Sequence, residues 1–476
     1  MKKHGGEFAR LMFVLSILIL ALALYSCGSD DDSEGAEGEG EGEGEGEGEG
    51  EGDGDEDGEE AFEVIPPKRE KHEHFTVVWL SGTPREMGRQ QGELLHEELK
   101  AGIEYIQSDF GMKYMVEMAE SKGIMDLAYA NSFESVVEEC EGLVETAGDV
   151  GWTVDQCLAL NFGDVLVEFL MEAMPELPEE TKAKFLKMLP GCTQMVATGE
   201  ATTDGRMYHA RGLDWSEIGY MLDNPTIFVR QPEEGIPHIY IGFPGNLSPY
   251  SGINAAGLVV NSNEADPLDA SVQSLEGRSH VQVVGEILRT AHDFEEAKAM
   301  IESVGHMSTE LVMVSDGNNN RAGVFEMCGK GVTVRELEDD VVYMSNHFVG
   351  EGTSEMDKEP IPESSDVRYQ RLEQLMPQSG ADSLYGNLSP ETLIGALRDR
   401  VDPRTHEEYG LDVFDNNGSI ATNGALFQIL YDPAKRFFWV AAGRPLPVPQ
   451  NAFVGFSVDK LLNLPDAEDV NPAVYE

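Results

Sequence analysis

The apolar periodicity of this chain changes character at Pro190-Gly191-Cys192. From Pro84 to about Leu189 apolar residues recur at helical spacing; beyond Cys192 short strand-like runs take over. They are Cys192–Ala197, Met207–Arg211, His238–Phe243, Gly257–Asn261, Leu311–Ser315, Gly323–Met327, Val332–Glu336, Val341–Ser345, Ala425–Tyr431 and Phe437–Ala441. Helical patterns interrupt them near Val281–Ala291, Phe294–Ser303, Val367–Leu375 and Glu391–Arg400. Ahead of the first helix, Thr76–Leu80 reads as a strand. Pro84 suits a first helical position with Glu86 behind it, and the pattern runs on through Lys100. This order predicts an α+β fold with a helical front and a largely antiparallel β back half, its two sheets covered by helices.

The first 60 residues are not part of that fold. Lys2, Lys3 and Arg10 precede an apolar run, Leu11–Leu24, that is short for a membrane span and reads as an export signal. Its end, Leu24-Tyr25-Ser26-Cys27-Gly28, resembles a bacterial lipobox, which makes Cys27 the candidate lipidation site. In a Gram-negative cell, Gly28 after the cysteine implies the outer membrane. Residues 28–60 then hold 18 acidic and no basic side chains, mostly as Glu-Gly repeats. Nothing there is apolar enough to bury, and the stretch reads as an extended tether. Asp53-Gly54-Asp55-Glu56-Asp57-Gly58 matches the front of a calcium loop, but the twelfth position is Val64 where a bidentate Glu is needed. No metal is expected.

The remaining residues, 61–476, still carry 69 acidic against 30 basic groups. So acidic a surface argues against nucleic acid as a partner. It suits either a high-salt habitat or an ordinary secreted protein. The five cysteines (27, 140, 157, 192 and 328) are scattered, with no C-x-x-C pair. That excludes a dense disulfide scaffold and speaks against structural zinc. Cys140 and Cys157 could pair in an exported protein.

The chain has no G-x-S-x-G, H-E-x-x-H, P-loop or G-x-G-x-x-G opening a helix after a strand. What remains is Cys192, at the start of the first hairpin, whose second strand ends His209-Ala210-Arg211-Gly212-Leu213-Asp214-Trp215. A turn centred on Asp204-Gly205 sets Asp214 opposite Met195, roughly 10 Å along the strand from Cys192. A thiol with Arg and Asp nearby is chemically sensible, because the cation favours thiolate and the carboxylate can balance a protonated amine. Read alone, a buried structural cysteine beside a surface Arg–Asp pair is the more ordinary arrangement.

Longer stretches add a resemblance. Ser81-Gly82-Thr83-Pro84-Arg85-Glu86-Met87-Gly88-Arg89-Gln90-Gln91-Gly92, Gly191-Cys192-Thr193 and Thr203-Asp204-Gly205-Arg206-Met207-Tyr208-His209-Ala210-Arg211-Gly212-Leu213-Asp214-Trp215 come first. Gly252-Ile253-Asn254-Ala255-Ala256-Gly257, Ser345-Asn346-His347-Phe348, Ser365-Asp366-Val367-Arg368-Tyr369 and Trp439-Val440-Ala441-Ala442-Gly443 follow in order. Together these resemble the autoproteolytic acyltransferase family typified by acyl-coenzyme A:6-aminopenicillanate acyltransferase. That family is related to bile salt hydrolases, penicillin V acylase and acid ceramidase. The resemblance spans roughly residues 75–445.

It implies an N-terminal-nucleophile αββα sandwich, made as a precursor in which Cys192 attacks the Gly191 carbonyl. Gly191 suits this if the attack needs a strained backbone. Once freed, the Cys192 amine serves as base for its own thiol. By the same resemblance Asp214 holds that amine, Arg211 steadies the thiolate, Asn346 binds the oxyanion and Arg368 completes the site. Asn261 is the candidate second oxyanion donor, with Asn254 and Asn263 as alternatives, and His347 is expected to be structural.

The implied organisation is a lipoprotein signal (1–27), a disordered acidic tether (28–66), a helical segment (67–191) that stays bound or is discarded, and a catalytic portion (192–476). The expected activity is cleavage of a linear, non-peptide C–N amide bond through a cysteinyl thioester, without a cofactor, on a small acylated amide or lipid-like substrate. A phospholipase B-like lipid acyl hydrolase and a catalytically silent surface lipoprotein are the alternatives. The joint presence of Cys192, Arg211, Asp214 and Asn346 speaks against the last.

Overall fold

The structure is a computed structural model that describes residues 64–476 other than 109, 164, 167, 170–190, 216–217, 411–417 and 466. The signal, Cys27, most of the acidic tether and the segment just before Gly191 lie outside the described residues. Among the described residues no helix is long and apolar enough to cross a membrane.

Two sheets stack face to face. One has nine strands in the order β1(Lys68–His72), β2(Phe75–Gly82), β5(Thr226–Pro232), β6(His238–Gly242), β7(Ser251–Asn254), β8(Leu258–Glu264), β9(Glu310–Asp316), β10(Arg321–Cys328), β11(Gly331–Glu336). The other has six: β12(Val341–Met344), β3(Gly191–Gly199), β4(Gly205–Asp214), β13(Ala425–Asp432), β14(Phe437–Ala442), β15(Val454–Ser457). Every pairing is antiparallel except β2 with β5.

Side chains alternate across each strand and so divide the apolar residues between layers. In β2 and β5, Val77, Trp79, Ile227 and Val229 face the second sheet, while Val78, Leu80 and Phe228 face the helices of the front segment. Farther along, Leu258, Val260, Val312 and Val314 meet the His280–Thr290 and Phe294–Ser303 helices. The Glu363–Leu375 and Pro390–Leu397 helices cover the outside of the six-stranded sheet through Leu372, Leu375, Leu393 and Ile394. The result is the αββα sandwich expected from the sequence.

Three expectations change in detail. The first helix does not run on to Lys100. It occupies Pro84–Leu94, opened by a reciprocal Thr83/Glu86 cap, and a second helix starts at His96. The front segment also contributes two strands, so it is built into the nine-stranded sheet rather than laid beside it. β5 went unread because it carries a charge, Arg230, in an otherwise apolar run. That charge is neutralised by Glu139 of the Glu134–Ala147 helix at 2.5 Å.

The third change is the register of the first hairpin. β3 runs to Gly199 and the connection occupies residues 200–204, with positive φ at Gly199 (51°) and Gly205 (77°). Asp214 therefore pairs with Gly191, not Met195, and Leu213 pairs with Cys192. The expected gap between Asp214 and the nucleophile disappears.

The front segment also holds itself tightly. Cys140 and Cys157 form a disulfide. The Pro84–Leu94 and Glu134–Ala147 helices touch backbone to backbone: a Cβ on Gly88 would lie 2.0 Å from the Glu139 carbonyl oxygen, and one on Gly142 2.0 Å from that of Arg85. Gly88→Ala or Gly142→Ala should each cost about 1–3 kcal/mol or more in thermal unfolding, because backbone cannot yield as a side chain can. Gly148→Ala is the control, since φ there is -65° and its nearest neighbour is a Val144 methyl at 3.5 Å; its stability should stay near wild type.

Candidate active site

The antiparallel pairing of β3 with β4 puts Cys192 and Arg211 on the face between the sheets. Cys192 is 1% exposed, and Arg211 Nη2 donates to its Sγ at 3.6 Å. The fork also reaches the nine-stranded sheet: Nη1 donates to Ser251 Oγ (2.6 Å) and Nη2 to the Ser262 carbonyl (2.6 Å), while Nε is buried without a hydrogen-bond partner. Its guanidinium also lies over the Phe427 ring.

Arg368 approaches from the opposite side, on the Glu363–Leu375 helix. Nη1 donates to the Cys192 carbonyl oxygen and to Thr193 Oγ1 (3.1 Å), and Nη2 to Asn346 Oδ1 (2.8 Å). Asn346 Oδ1 also accepts from the Cys192 backbone N–H at 2.7 Å, and Asn346 Nδ2 donates to the Glu264 carbonyl at 2.7 Å. The amide orientation follows from its partners, since an N–H and a guanidinium can only donate and a carbonyl only accepts. Asn346 thus accepts from the backbone nitrogen of Cys192, and its own donor is engaged elsewhere. It stands beside the nucleophile, as expected, but not with the expected oxyanion-donor orientation.

Asp214 sits across from Gly191; a Cβ on Gly191 would lie 3.5 Å from Asp214 Cβ and 3.6 Å from Arg368 Nη2. Gly191 itself is ordinary extended strand, without a positive φ. The expectation that glycine is required there by a strained backbone is not met. Burial pushes the Asp214 carboxyl up to about 6, against the pull of Arg368 and Arg211.

Asn261 belongs to a neighbouring polar layer. Its Nδ2 lies 2.9 Å from His209 Nε2, and His209 contacts Gln194 Oε1 (3.0 Å) and Ser315 Oγ (2.8 Å). Gln194 in turn donates to Asn263 Oδ1 at 2.6 Å. Asn261 Oδ1 is buried without a hydrogen-bond partner. His209 is kept neutral: burial, with Arg211 adding to it, lowers its pKa to about 3. Asn254 caps the backbone, accepting from Leu258 N–H and donating to the Leu288 and Ala291 carbonyls. His347 binds Ser365 Oγ at 2.7 Å, and burial lowers its pKa to about 4.

Ser365 has no role implied by the resemblance, yet it contacts the site. Its hydroxyl accepts from Asn346 N–H (2.8 Å) and also meets Ser345 Oγ (3.0 Å), so it fixes the loop that carries Asn346. The signal available was its position, three residues before Arg368 on the same helix face. Glu264 and Ser262 act through backbone carbonyls, which no residue type announces.

Cys192, Arg211, Asp214, Asn346 and Arg368 converge around one peptide bond, Gly191–Cys192. The family model for acyl-coenzyme A:6-aminopenicillanic acid acyl-transferase matches residues 203–447. This chain belongs to that family. The matched stretch contains Arg211, Asp214, Asn261, Asn346 and Arg368 and begins after Cys192. The family's class of chemistry is amide hydrolysis or acyl transfer of the N-terminal-nucleophile kind. No curated protein matches the sequence. Similar solved structures include a Caenorhabditis elegans N-acylethanolamine-hydrolyzing acid amidase ortholog, with 13% identity over 55% of this chain and 98% of that one, TM-score 0.36. A mutant of conjugated bile acid hydrolase from Clostridium perfringens has 14% identity over 60% and 96%, TM-score 0.35. Penicillin V acylase from Agrobacterium tumefaciens has 15% identity over 53% and 83%, TM-score 0.31.

The state of Asp214 gives a stability test. Its folded value lies above the ordinary 3.8, so the contribution of the protonated form is whole below about pH 4 and is lost as pH rises through about 6. In a Cys192→Ala background, which removes any self-cleavage, adding Asp214→Asn should relieve that loss. Its stability advantage over the Asp form should grow between pH 4 and 8 by up to about 3 kcal/mol. A pH-independent difference in thermal unfolding would show that burial does not hold the carboxyl up.

Proposed function

We propose that this protein is an exported, self-processing thiol amidohydrolase that cleaves a linear amide of an apolar acyl group. The observation that carries the reading is the hold on the Gly191–Cys192 peptide. The thiol lies on Arg211, the nitrogen on Asn346, the following carbonyl on Arg368, and a buried carboxyl faces Gly191.

In the first step Cys192 Sγ adds to the Gly191 carbonyl carbon and its proton leaves. The C–N bond breaks, a thioester joins Gly191 to Sγ, and the Cys192 nitrogen takes up a proton to become an amine. Water then hydrolyses the thioester, leaving a Gly191 carboxylate and a free thiol. In turnover the amine accepts the thiol proton, Sγ attacks the substrate carbonyl, the substrate amine departs protonated, and water releases the acid. Transfer to an amine acceptor replaces that last water in the acyltransferase variant. The oxyanion is served by Arg211 and, once the cut frees the Cys192 nitrogen from its peptide geometry, by a reoriented Asn346.

The walls beside the nucleophile's cross-strand partner support an apolar acyl group. Leu213, the cross-strand partner of Cys192, opens a narrow cavity of ≈ 20 Å³ whose other sides include Trp215, Met221, Phe243, Tyr250 and Phe427. At that size it holds about one water, so an acyl group enters there in this reading only as these mostly apolar walls part.

The Cys140–Cys157 disulfide supports an oxidising compartment, in keeping with export and with Cys27 as a lipid anchor in a bacterial envelope. After cleavage the front segment stays bound in this reading, because β2 remains hydrogen-bonded to β5 and Glu139 to Arg230.

Denaturing intact-mass measurement tests the proposal. Wild type should resolve into two chains divided before Cys192, and Cys192→Ala should remain one chain and be inert toward a panel of N-acyl amides. Asn346→Ala should slow turnover by on the order of 10²–10³ with the fold retained. A wild type that stays uncut and hydrolyses no N-acyl amide would overturn the reading.

A further inference from the structure

Strand β12 ends at Met344, opposite Gln194 of β3. Continued in the same register, the ladder would set residue 346 opposite Cys192. The backbone leaves the ladder instead. Asn263 Nδ2 donates to the Ser345 carbonyl at 2.7 Å, and the Asn346 N–H donates to Ser365 Oγ at 2.8 Å. The Asn346 side chain, not a strand carbonyl, accepts from the Cys192 N–H. A ladder bond is fixed by the two strands that make it. This one also depends on where the loop carrying Asn346 sits.

Two buried carboxylates hold that loop just beyond Asn346. Asp357 accepts from the Phe348 N–H (Oδ2, 2.5 Å) and from the Lys358 N–H (Oδ1, 2.7 Å). Glu326, on β10, accepts from the N–H groups of Val349 (3.1 Å) and Gly350 (2.9 Å) and from Thr353 Oγ1. Arg335 Nε balances the Glu326 charge at 2.7 Å. Three consecutive N–H groups, at 348, 349 and 350, thus find their acceptors on side chains rather than in a sheet. A buried N–H that loses its acceptor forces the backbone to move or stay unsatisfied. The loop cannot simply swing out to water, because Phe348 is buried in one cluster with Val342 and Met344.

We propose that Asp357 and Glu326 are positioning residues for the reaction at Cys192: they hold the 346–353 loop so that the Asn346 side chain meets the Cys192 nitrogen. Both act on the loop, and through it on Asn346. Glu326 ties the loop to the nine-stranded sheet, and Ser365 ties it to the Glu363–Leu375 helix outside the other sheet. Asn346 is therefore placed against both layers at once, two residues from the nearer carboxylate contact. A shift of about 1 Å in such a group is enough to cost on the order of 10² in rate. The effect on turnover rests on the amidohydrolase reading; the effect on the Asn346–Cys192 hydrogen bond does not.

In the full-length Cys192→Ala protein, hydrogen exchange of the amide at position 192 reads that bond without turnover. Adding Asp357→Ala should speed exchange there about tenfold or more, together with exchange at 348. Gly350→Ala disturbs the other carboxylate: its Cβ would lie 2.7 Å from Glu326 Oε2, and it too should speed exchange at 192 about tenfold or more. Asp357→Asn is the conservative counterpart. Its amide oxygen still accepts from Phe348, and the Lys358 N–H keeps the Asp266 carbonyl at 3.0 Å, so exchange at 192 should stay within about threefold. Glu355→Gln, an exposed carboxylate in the same connection, should also leave it within about threefold. With Cys192 present, Asp357→Ala and Gly350→Ala should lower kcat about 10–100-fold with KM within about threefold, and Asp357→Asn should restore kcat. If Asp357→Ala does not fold, Gly350→Ala carries the decision. Faster exchange at 348–350 without any at 192 would mark a purely local role and overturn the proposal, as would an unchanged kcat in variants of an active wild type. An uncut and inactive wild type would overturn the amidohydrolase reading instead, and exchange at 192 would still decide the positioning.

Discussion

Arg211 and Arg368, each no more than 1% exposed, flank one cysteine, and both act on the one buried carboxyl of Asp214. A guanidinium stays charged at any accessible pH, and a buried charge is tolerated only when most of its donors are engaged and opposite charge is near; of Arg211 only Nε lacks a partner. The hydrogen bonds that meet this demand come from four separate stretches: Ser251 and Ser262 on β7 and β8, Cys192 and Thr193 on β3, and Asn346 on the loop after β12. Correct placement of the two cations thus requires both sheets and the outer helix together. Their joint field, offset by a single carboxyl, is what a thiolate at Cys192 would neutralise.

The layers of the fold were legible because burial on one face or two leaves a period in the sequence. The Phe294–Ser303 helix was readable nearly to the residue, since Phe294, Ala297 and Ile301 recur in the core at helical spacing. The Val332–Glu336 strand was too, since Val332 and Val334 alternate with polar residues and pack on one face although only partly buried. β5 was not, because Arg230 breaks its apolar run and the partner that makes it admissible, Glu139, lies 91 residues away. The register of the β3–β4 hairpin was misjudged because Asp204-Gly205 looks like a two-residue turn, whereas the strands close farther back, at Gly199. A shift of that kind moves every cross-strand neighbour, and it turned a distant Asp214 into one directly opposite Gly191.

The site was legible in composition but less so in role. Cys192, Arg211, Asp214, Asn346 and Arg368 were recoverable from the resemblance, and they do converge. Which atom of Asn346 faces the nucleophile was not recoverable, because it is set by the Glu264 carbonyl and the Cys192 N–H, groups that every residue possesses. Asn261 illustrates the same limit. A side chain that faces the right layer sits one position along it, bound to His209 instead.

The charge balance of the site gives the proposed self-cleavage a chemical consequence. While the Gly191–Cys192 bond is intact, the Cys192 nitrogen is neutral, and burial holds Asp214 toward its protonated form despite two guanidinium groups. Cutting converts that nitrogen into an amine with an ordinary pKa of roughly 7.7–8. Its ammonium form would be a third cation beside Arg211 and Arg368, which disfavours it; Asp214, if it ionises in response, pulls the other way. In the cleaved form the cations would therefore favour the unprotonated amine near neutral pH, the form a general base requires. The carboxylate keeps the protonated form accessible when the thiol gives up its proton. The two arginines that would favour the thiolate would thus also lower the basicity of the group that generates it, with Asp214 acting against them.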